Sequence, residues 1–391
     1  MIRTLDVYLN QTKVGILKET NGKSYSFEYY PKSKEIISLS MKDFNVVYKD
    51  KVVRPFLENL LPEGQILTNV AKIHLVSQNN PFSILSKIGE DCAGAISFTN
   101  EPSNIKTPPK ELSYENFLNI LNKNESGKFF YEKGMRLSLA GAQNKLSLII
   151  RNNKYFLPNI SNPSNYIIKF NNLTFPSLLI NEYFSTTLAE LLGIPVSKVD
   201  YKKEPYPYLL ITRYDRLNNL RIHQEDFCQV LSIRPQNKYQ IDGGPSFKDV
   251  SNFIKNNLKN PALEVLNLAK LLVFNFLIGN CDAHAKNISI LYKEGIILAP
   301  FYDIVSTYIY EDISKNMAMS INKKYDIDSI NKEDIIKEFD SWNLNGKSIL
   351  NLILNEFKDI IFLTKNICIE PNEDVEKIIN LIRNNLEKLT M

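Results

Sequence analysis

Three polar residues in the C-terminal half of the chain have side chains and spacing suited to phosphoryl transfer. Asp282 and Asn287 lie five positions apart in a polar segment, and Asp303 follows after two short apolar runs separated by Glu294-Gly295. A carboxylate such as that of Asp282 can orient an acceptor hydroxyl and take its proton. An amide oxygen and a second carboxylate, here those of Asn287 and Asp303, are ligands that Mg²⁺ prefers. The pattern therefore predicts a catalytic Asp282 beside a magnesium site.

The order of the surrounding segments strengthens this prediction. An apolar stretch at 263–278 predicts a helix leading into the polar loop, and residues 288–291 and 296–298 predict a hairpin before Asp303. Protein kinases place a D-x-x-x-x-N loop, a two-stranded ribbon and a metal-binding aspartate in this order. Asp and Asn are also common turn residues, so the loop alone would be uninformative. His284, in the same loop, is open to two roles: contact with a phosphate or support of the loop.

Two further parts of a kinase are expected upstream, on strands. Lys169 lies in the apolar sequence Tyr-Ile-Ile-Lys-Phe, where a lysine is costly unless it meets an anion. It is a candidate for contacting the α- and β-phosphates of a nucleotide, with Glu182 on the next predicted helix as its ion-pair partner. The alternative is an edge-strand lysine that faces solvent. The small residues Ala140, Gly141 and Ala142 precede the first strand of this region and let backbone N–H groups approach phosphate.

Alternating apolar residues and turn signals divide the chain into three predicted domains. Residues 1–105 predict a small α+β subdomain followed by a polar, proline-rich linker at 101–110. Residues 106–218 predict a strand-rich N-terminal lobe with a phosphate loop, and residues 219–391 a mainly helical C-terminal lobe. The predicted fold class is therefore α+β, with the two lobes of a protein kinase. The elements behind this prediction are strands at 146–150, 155–157, 166–170, 196–201 and 208–213 and helices at 55–61, 62–74, 177–192 and 263–278.

The composition is that of a soluble globular protein, with 44% hydrophobic and 23% charged residues. A net charge of +4 suits an anionic ligand but does not by itself indicate a nucleic-acid binder. The four cysteines have no metal-ligand spacing. The first residues lack the apolar core of a signal peptide, and the most apolar stretch is interrupted by Lys270 and Asn275. We therefore expect a cytoplasmic protein.

With these motifs in place, the chain resembles the HipA-like serine/threonine kinase toxins of bacterial toxin–antitoxin systems. The likeness extends over nearly the whole chain, in the family's order. It rests on the Lys169 strand and on the blocks LENLLPEG (57–64), LSKIGEDCAGAISF (85–98), RLSLAGAQNK (136–145), NEYF (181–184), TRYDR (212–216), RIHQEDFCQ (221–229), KYQIDGGPSF (238–247), LIGNCDAHAKN (277–287) and PFYDI (300–304).

The resemblance implies a role for each matching residue. It implies Asp282 and Lys169 as catalytic residues, Asn287 and Asp303 as ligands of Mg²⁺, and Ser138 as a serine that the kinase phosphorylates on itself. The implied cofactors are ATP and Mg²⁺. The residues implied to bind the nucleotide are Ala140, Gly141, Ala142, Gln143, Asn144, Lys145, Lys169, Thr212, Arg213, Tyr214, His284, Asn287, Tyr302 and Asp303.

The resemblance also implies partners. Such kinases pair with a small helix-turn-helix antitoxin (HipB-like), so contact with DNA would be indirect, and the expected substrate is an aminoacyl-tRNA synthetase, glutamyl-tRNA synthetase above all. This chain departs from the family at Ala283, where the loop usually has glycine, and at Thr212, where the hinge is usually acidic. The chain after Asp303 is shorter than in the family, so antitoxin contacts there are not transferred.

Two other functions fit parts of the same pattern. The loop from Asp282 to Asn287 also satisfies the D-x-H-x-x-N pattern of small-molecule kinases of the aminoglycoside or choline kinase kind. The loop serine and the N-terminal domain argue against that class. A non-catalytic co-repressor that only binds an antitoxin is the other alternative. The retained Lys169 and Asp303 argue against it, because such polar groups are costly without a ligand.

Overall fold

The computed structural model describes residues 2–21, 24–99, 108–125, 143–159, 161–171, 174–175, 177–218 and 220–390. Contacts divide the chain into two compact units. The first contains residues 1–176, 200–235 and 291–293, and the second contains residues 177–199, 236–290 and 294–391. This division differs from the three predicted domains, whose boundaries stay predictions.

The strands of the described residues are mostly short. In chain order they are β1 (Ile2–Leu9), β2 (Thr12–Thr20), β3 (Ser24–Tyr29), β4 (Ile96–Thr99), β5 (Lys110–Leu112), β6 (Lys145–Arg151), β7 (Lys154–Leu157), β8 (Tyr166–Phe170), β9 (Val199–Lys202), β10 (Tyr208–Thr212), β11 (Arg216–Leu217), β12 (Leu220–Arg221), β13 (Gln224–Asp226), β14 (Ser289–Tyr292), β15 (Ile296–Leu298), β16 (Asn316–Ile321) and β17 (Lys324–Asp326).

The helices are concentrated in the second half of the chain. They are α1 (Asp50–Asn59), α2 (Gly64–Ile73), α3 (Pro81–Ile88), α4 (Tyr114–Glu125), α5 (Leu178–Leu191), α6 (Phe227–Val230), α7 (Phe247–Asn257), α8 (Pro261–Ile278), α9 (Lys332–Ser341), α10 (Gly346–Glu356), α11 (Ile360–Leu363) and α12 (Glu373–Thr390). Short 3₁₀ turns lie at Pro235–Asn237, Gln240–Asp242, Ala285–Asn287, Ile327–Ser329 and Thr364–Asn366.

The two largest sheets of the described residues lie in the first unit. The smaller has the strand order β3-β2-β1-β4, and the alternating residues of these strands bury one face against α1, α2 and α3. Val7, Phe27 and Phe56 are among its fully buried side chains. The larger sheet has the order β5-β7-β6-β8-β10-β9. Its core includes Phe117 of α4, whose ring stacks on Tyr155 of β7 with centroids 4.2 Å apart.

A buried ionic cluster stabilises the first unit. Asp91, just before β4, accepts from Arg216 at 3.1 Å and lies 3.3 Å from Arg221. Asp215 accepts from Arg213 at 2.7 Å and from Arg216 at 2.8 Å. Burial alone would raise the pKa of Asp91, but the surrounding guanidinium groups hold that pKa below its usual range. The cluster therefore keeps its carboxylates ionised in the interior, where an unpaired charge would be strongly destabilising.

The second unit is built around the long apolar helix α8. Its side chains from Leu268 to Ile278 are almost all buried, including Leu272 and Phe276 at 0% exposure. By length and composition α8 is apolar enough to cross a membrane, but most of it is buried inside the protein, as expected of a core helix. Polar Asn385 of α12 donates to the Phe276 carbonyl at 3.0 Å, which ties the two helices together.

Most of the predicted elements near the expected site are present. The helix predicted at 263–278 is α8, and the hairpin predicted before Asp303 is β14 and β15, with positive φ at Glu294 and Gly295 in its turn. The mainly helical lobe predicted at 219–391 also contains a second hairpin, β16 and β17, which was not predicted. Their turn has Asn322 and Lys323 at positive φ. It lacks the glycine that usually indicates a hairpin turn in a sequence.

Candidate functional site

The loop that carries Asp282 starts at a sharp helix end. Helix α8 stops at Gly279, whose φ of +69° is a left-handed conformation that favours glycine. A Cβ there would also lie 2.6 Å from atoms of Leu381 and Tyr308. Asn280 next donates its side-chain amide to Asn275 at 3.1 Å and accepts the Asp282 N–H at 3.2 Å. The loop is thus folded back onto the end of its own helix.

Asp282 and Asn287 are held at the two ends of one tight turn. The Asp282 carbonyl accepts the His284 N–H at 2.8 Å and the Asn287 side-chain amide at 3.1 Å. Because Nδ2 of Asn287 points at this carbonyl, its Oδ1 is directed the other way, which leaves the amide oxygen placed to be a metal ligand. The Asp282 side chain is exposed, as an acceptor-binding group must be. The structure therefore brings the predicted pair together in one loop.

Asp303 lies between two segments that hydrogen bonds hold in place, by backbone pairing before it and by a side chain after it. The Phe301 N–H donates to the Pro195 carbonyl at 2.8 Å, and the Ser197 N–H donates to the Phe301 carbonyl at 2.8 Å. Three residues past Asp303, the Ser306 N–H donates to Asn181 at 2.9 Å. Asp303 itself has φ +57°, a left-handed conformation that is uncommon in residues other than glycine and is concentrated at functional sites.

A small cavity in the second unit joins these residues. It is lined by apolar side chains that include Phe247 and Leu271 and by six polar residues: Asn275, Asn280, His284, Asn287, Tyr302 and Asp303. The hydroxyl of Tyr302 donates to the Lys286 carbonyl at 2.6 Å and lies 2.7 Å from the Ser289 hydroxyl. This braces the segment before Asp303 against the loop that carries Asn287.

The structure adds one residue that the sequence did not single out. The hydroxyl of Tyr239 donates to Oδ1 of Asp282 at 2.7 Å, and its ring lies edge-on to His284 with centroids 5.3 Å apart. Tyr239 belongs to the block KYQIDGGPSF, which the sequence analysis used for the resemblance without assigning it a role. The double glycine of that block, Gly243-Gly244, was the available signal for a fixed turn.

The first unit holds Lys169 and the described end of the predicted phosphate loop. Lys169 lies on β8, is 4% exposed, and stands opposite Lys145 at the start of β6. The two residues before β6 are bonded to the end of β8: Gln143 donates to the Phe170 carbonyl at 3.3 Å, and Asn144 accepts the Phe170 N–H at 3.1 Å. The end of the predicted phosphate loop thus adjoins Lys169. Ser138, Ala140, Gly141 and Ala142 lie outside the described residues.

The predicted hinge residues have different surroundings. Thr212 ends β10 and is exposed, and Tyr214 is partly buried. The Arg213 guanidinium is buried in the ionic cluster, where it donates to Asp215 at 2.7 Å and to Ser164 at 2.9 Å. Its side chain is therefore engaged within the protein. Glu182, the predicted partner of Lys169, lies on α5 and is 2% exposed; the ion pair between the two stays a prediction.

The donors around the cavity fit a magnesium ion. Asn287 and Asp303 offer one amide oxygen and one carboxylate, which are hard oxygen ligands. Mg²⁺ is usually bound by one or two protein groups, with phosphate oxygens and water as its other ligands. Two ligands on segments fixed by hydrogen bonds therefore suffice for a metal that arrives with a nucleotide.

Comparison with known proteins gives concordant matches. The family model of the HipA-like C-terminal domain matches residues 137–386, and that of the HipA N-terminal domain matches residues 5–99. A putative kinase, Y4mE of Sinorhizobium fredii, is 38% identical over 288 residues, which cover 69% of this chain and 68% of that protein. The serine/threonine-protein kinase toxin HipA of Shewanella oneidensis is 32% identical over 297 residues, covering 70% of this chain and 68% of the toxin.

A solved structure matches over nearly the full length. It is that of Shewanella oneidensis HipA in complex with HipB and operator DNA, with a TM-score of 0.85 and 25% identity. The match covers 98% of this chain and 96% of that one. The predicted α+β, protein-kinase-like fold is thereby confirmed.

Proposed function

Because the chain belongs to the HipA-like kinase toxin family, we propose that it is an ATP- and magnesium-dependent serine/threonine protein kinase and the toxin of a toxin–antitoxin module. The observation that carries this proposal is the placement of Asp282, Asn287 and Asp303 in the second unit. Asp282 is exposed, Asn287 is bonded to its carbonyl at 3.1 Å, and Asp303 lines a cavity together with Asn287. These are the parts that phosphoryl transfer requires.

In the proposed reaction the acceptor hydroxyl oxygen attacks the γ-phosphorus of ATP, and the bond between that phosphorus and the β–γ bridging oxygen breaks. ADP leaves, and the hydroxyl proton passes to the Asp282 carboxylate. Asp282 orients the hydroxyl before it takes the proton. Asn287 and Asp303 would hold Mg²⁺, which neutralises the phosphate charge when bound. The protein supplies mainly positions and charges, because little covalent chemistry is left to it.

The first unit would bind the nucleotide phosphates. Lys169 is buried on a central strand. A buried cation is costly unless it is paired with an anion, and the α- and β-phosphates of ATP would be such an anion. The adjoining Gln143, Asn144 and Lys145 end the loop that the sequence assigns to the phosphates. We assign Thr212 and Tyr214 to the adenine side, and for Arg213 we assign the backbone, since its side chain is taken up in the ionic cluster.

The proposed substrate is an aminoacyl-tRNA synthetase, with glutamyl-tRNA synthetase favoured, and the proposed partner is a HipB-like antitoxin. The HipA structure that this chain matches contains HipB and operator DNA, so DNA contact through the antitoxin follows for this chain as a proposal. The compartment would be the cytoplasm. The kinase would also phosphorylate its own Ser138. That phosphate would add about −1.5 to −2 charges next to the phosphate loop and switch the enzyme off.

The test is transfer of labelled phosphate. The purified chain should be incubated with magnesium and γ-labelled ATP, first alone and then with glutamyl-tRNA synthetase, and the labelled residues located by mass spectrometry. Asp282→Asn is the matched control, because it keeps the shape of the side chain but should lower the rate by about a hundredfold or more while ATP still binds. ATP binding without transfer would instead indicate a non-catalytic co-repressor. Transfer to an aminoglycoside or choline, but not to protein, would indicate a small-molecule kinase.

A further inference from the structure

The hydrogen bond from Tyr239 to Asp282 lies at the centre of the proposed reaction. The Tyr239 hydroxyl donates to Oδ1 of Asp282 at 2.7 Å, so this oxygen is already engaged before any acceptor arrives. Asp282 is exposed and Tyr239 is half-buried. A carboxylate has two oxygens, and a donor fixed on one of them restricts the torsion of the side chain and so directs the other.

The position of the tyrosine is fixed by its own turn. The Tyr239 carbonyl accepts the N–H groups of Asp242 at 3.1 Å and Gly244 at 2.9 Å. Gly243 has φ +93°, and a Cβ on Gly244 would lie 2.7 Å from the Tyr239 carbonyl oxygen. Both positions therefore require glycine. The turn is closed and compact, and its tyrosine is presented in one direction.

A chain of hydrogen bonds ties this turn to the backbone beside Asp282. The side-chain oxygen of Gln240 accepts the N–H of Ser320 on β16 at 2.8 Å and the hydroxyl of the same residue at 3.1 Å. Two residues earlier on β16, the Ala318 N–H donates to the Cys281 carbonyl at 2.8 Å. Cys281 directly precedes Asp282. The donor hydroxyl and the carboxylate are thus held by one strand, which is the arrangement expected of a preorganised pair.

On these grounds, and resting on the proposed kinase activity, we propose that Tyr239 is the positioning residue of the catalytic aspartate. Its hydroxyl engages Oδ1 of Asp282 so that Oδ2 faces the acceptor hydroxyl and receives its proton. Tyr239 touches neither the acceptor nor the nucleotide in this role. It acts through Asp282, so its loss should slow transfer without weakening ATP binding.

The test is Tyr239→Phe, which removes one oxygen and keeps the ring against His284. Initial rates of labelled phosphate transfer should be measured at varied ATP, with glutamyl-tRNA synthetase and the chain itself as acceptors. We expect kcat to fall by about tenfold to a hundredfold, the loss of one hydrogen bond to a charged group. The KM for ATP and the melting temperature should stay unchanged. Tyr308→Phe is the control, since its hydroxyl also contacts an aspartate, Asp328, at 3.1 Å, and neither of these two residues lines the cavity.

Each outcome bears on the inference. A reduced kcat in Tyr239→Phe together with wild-type behaviour of Tyr308→Phe supports it. Three results would overturn it and leave the proposed function standing. They are an unchanged kcat, a rise of the KM for ATP as large as the fall of kcat, and phosphate found on Tyr239 itself. No transfer by the unaltered chain would overturn both the function and the positioning role.

Discussion

The buried carboxyl of Glu225 makes stability depend on pH in a direction that can be measured. Glu225 lies on β13 at 0% exposure, accepts the Leu39 N–H at 3.0 Å, and also accepts the Tyr292 hydroxyl. Burial raises its pKa from the ordinary 4.5 to about 7 although both donors favour the ionised form. Between these two values the folded chain keeps the proton that the unfolded chain has lost. The stability that protonated Glu225 contributes is therefore fully present below pH 4.5, and it is lost as the pH rises through 7.

The size of the effect follows from the same two values. The interval from 4.5 to about 7, at about 1.4 kcal/mol per pH unit, amounts to roughly 3 kcal/mol above pH 7. Glu225→Gln keeps the shape and cannot ionise. It should therefore match the unaltered chain near pH 5 and exceed its free energy of unfolding by about 1 to 3 kcal/mol at pH 8, after allowing for weaker hydrogen bonds to a neutral group.

Hydrogen exchange of peptides covering residues 220–235 would measure this free energy locally, at pH 5 and pH 8 with the intrinsic rates corrected. Glu111→Gln is the control, because it removes a carboxylate that is 55% exposed and paired with Lys154 on the same unit. The control should change protection little at either pH. A Glu225→Gln chain that is less stable than the unaltered one at pH 8 would refute the reasoning, since it would show that the ionised carboxylate is stabilising there.

Three further substitutions test the site and its support. Asp303→Ala should abolish the magnesium dependence of ATP binding, measured by titration calorimetry with and without Mg²⁺; an unchanged dependence would remove Asp303 as a ligand. Asp91→Ala removes the buried carboxylate that Arg216 and Arg221 share, and should lower the free energy of unfolding in urea by about 3 to 5 kcal/mol. Gly279→Ala forces a Cβ against Leu381 and Tyr308 at positive φ, and should cost about 1 to 3 kcal/mol in thermal unfolding; wild-type stability would show that the loop adapts.

The loop from Asp282 to Asn287, for which we propose the catalytic role, could be predicted from the sequence because its signals are local. The apolar run of α8, the glycine at its end and the spacing of Asp282 and Asn287 lie within one short segment, and each has a direct physical meaning. The hairpin before Asp303 was equally visible from the Glu294-Gly295 turn. What the spacing could not give is orientation. Only the structure shows that the Asn287 amide nitrogen faces the Asp282 carbonyl and that its oxygen is directed the other way.

Residues that act across the fold were beyond sequence reasoning. Tyr239 lies 43 positions before Asp282, and nothing in the pattern of either segment indicates that they meet. The role expected of Arg213 illustrates the converse, since the motif TRYDR suggested a nucleotide contact. In the structure its guanidinium donates to Asp215, two residues further on, and it also contacts Asp91 and Ser164 from distant parts of the chain. A nucleotide contact by the Arg213 backbone stays a prediction. Contacts between residues far apart in the chain determine the partners of such side chains, and a local sequence motif does not indicate these contacts.

The ionic cluster also explains why the small first domain is not an independent appendage. Asp91 and the Cys92 carbonyl, from the segment that leads into β4, accept from Arg213 and Arg216, which follow β10. The Gly94 N–H donates to Asp215 at 2.7 Å. Each of these groups is buried, so separating the two segments would leave charges in an apolar interior without partners. This is the physical basis for one compact unit that contains the small N-terminal sheet, the sheet with Lys169, and the segment after β10. The residues of this unit for which we propose nucleotide binding therefore belong to the same compact unit as the N-terminal sheet.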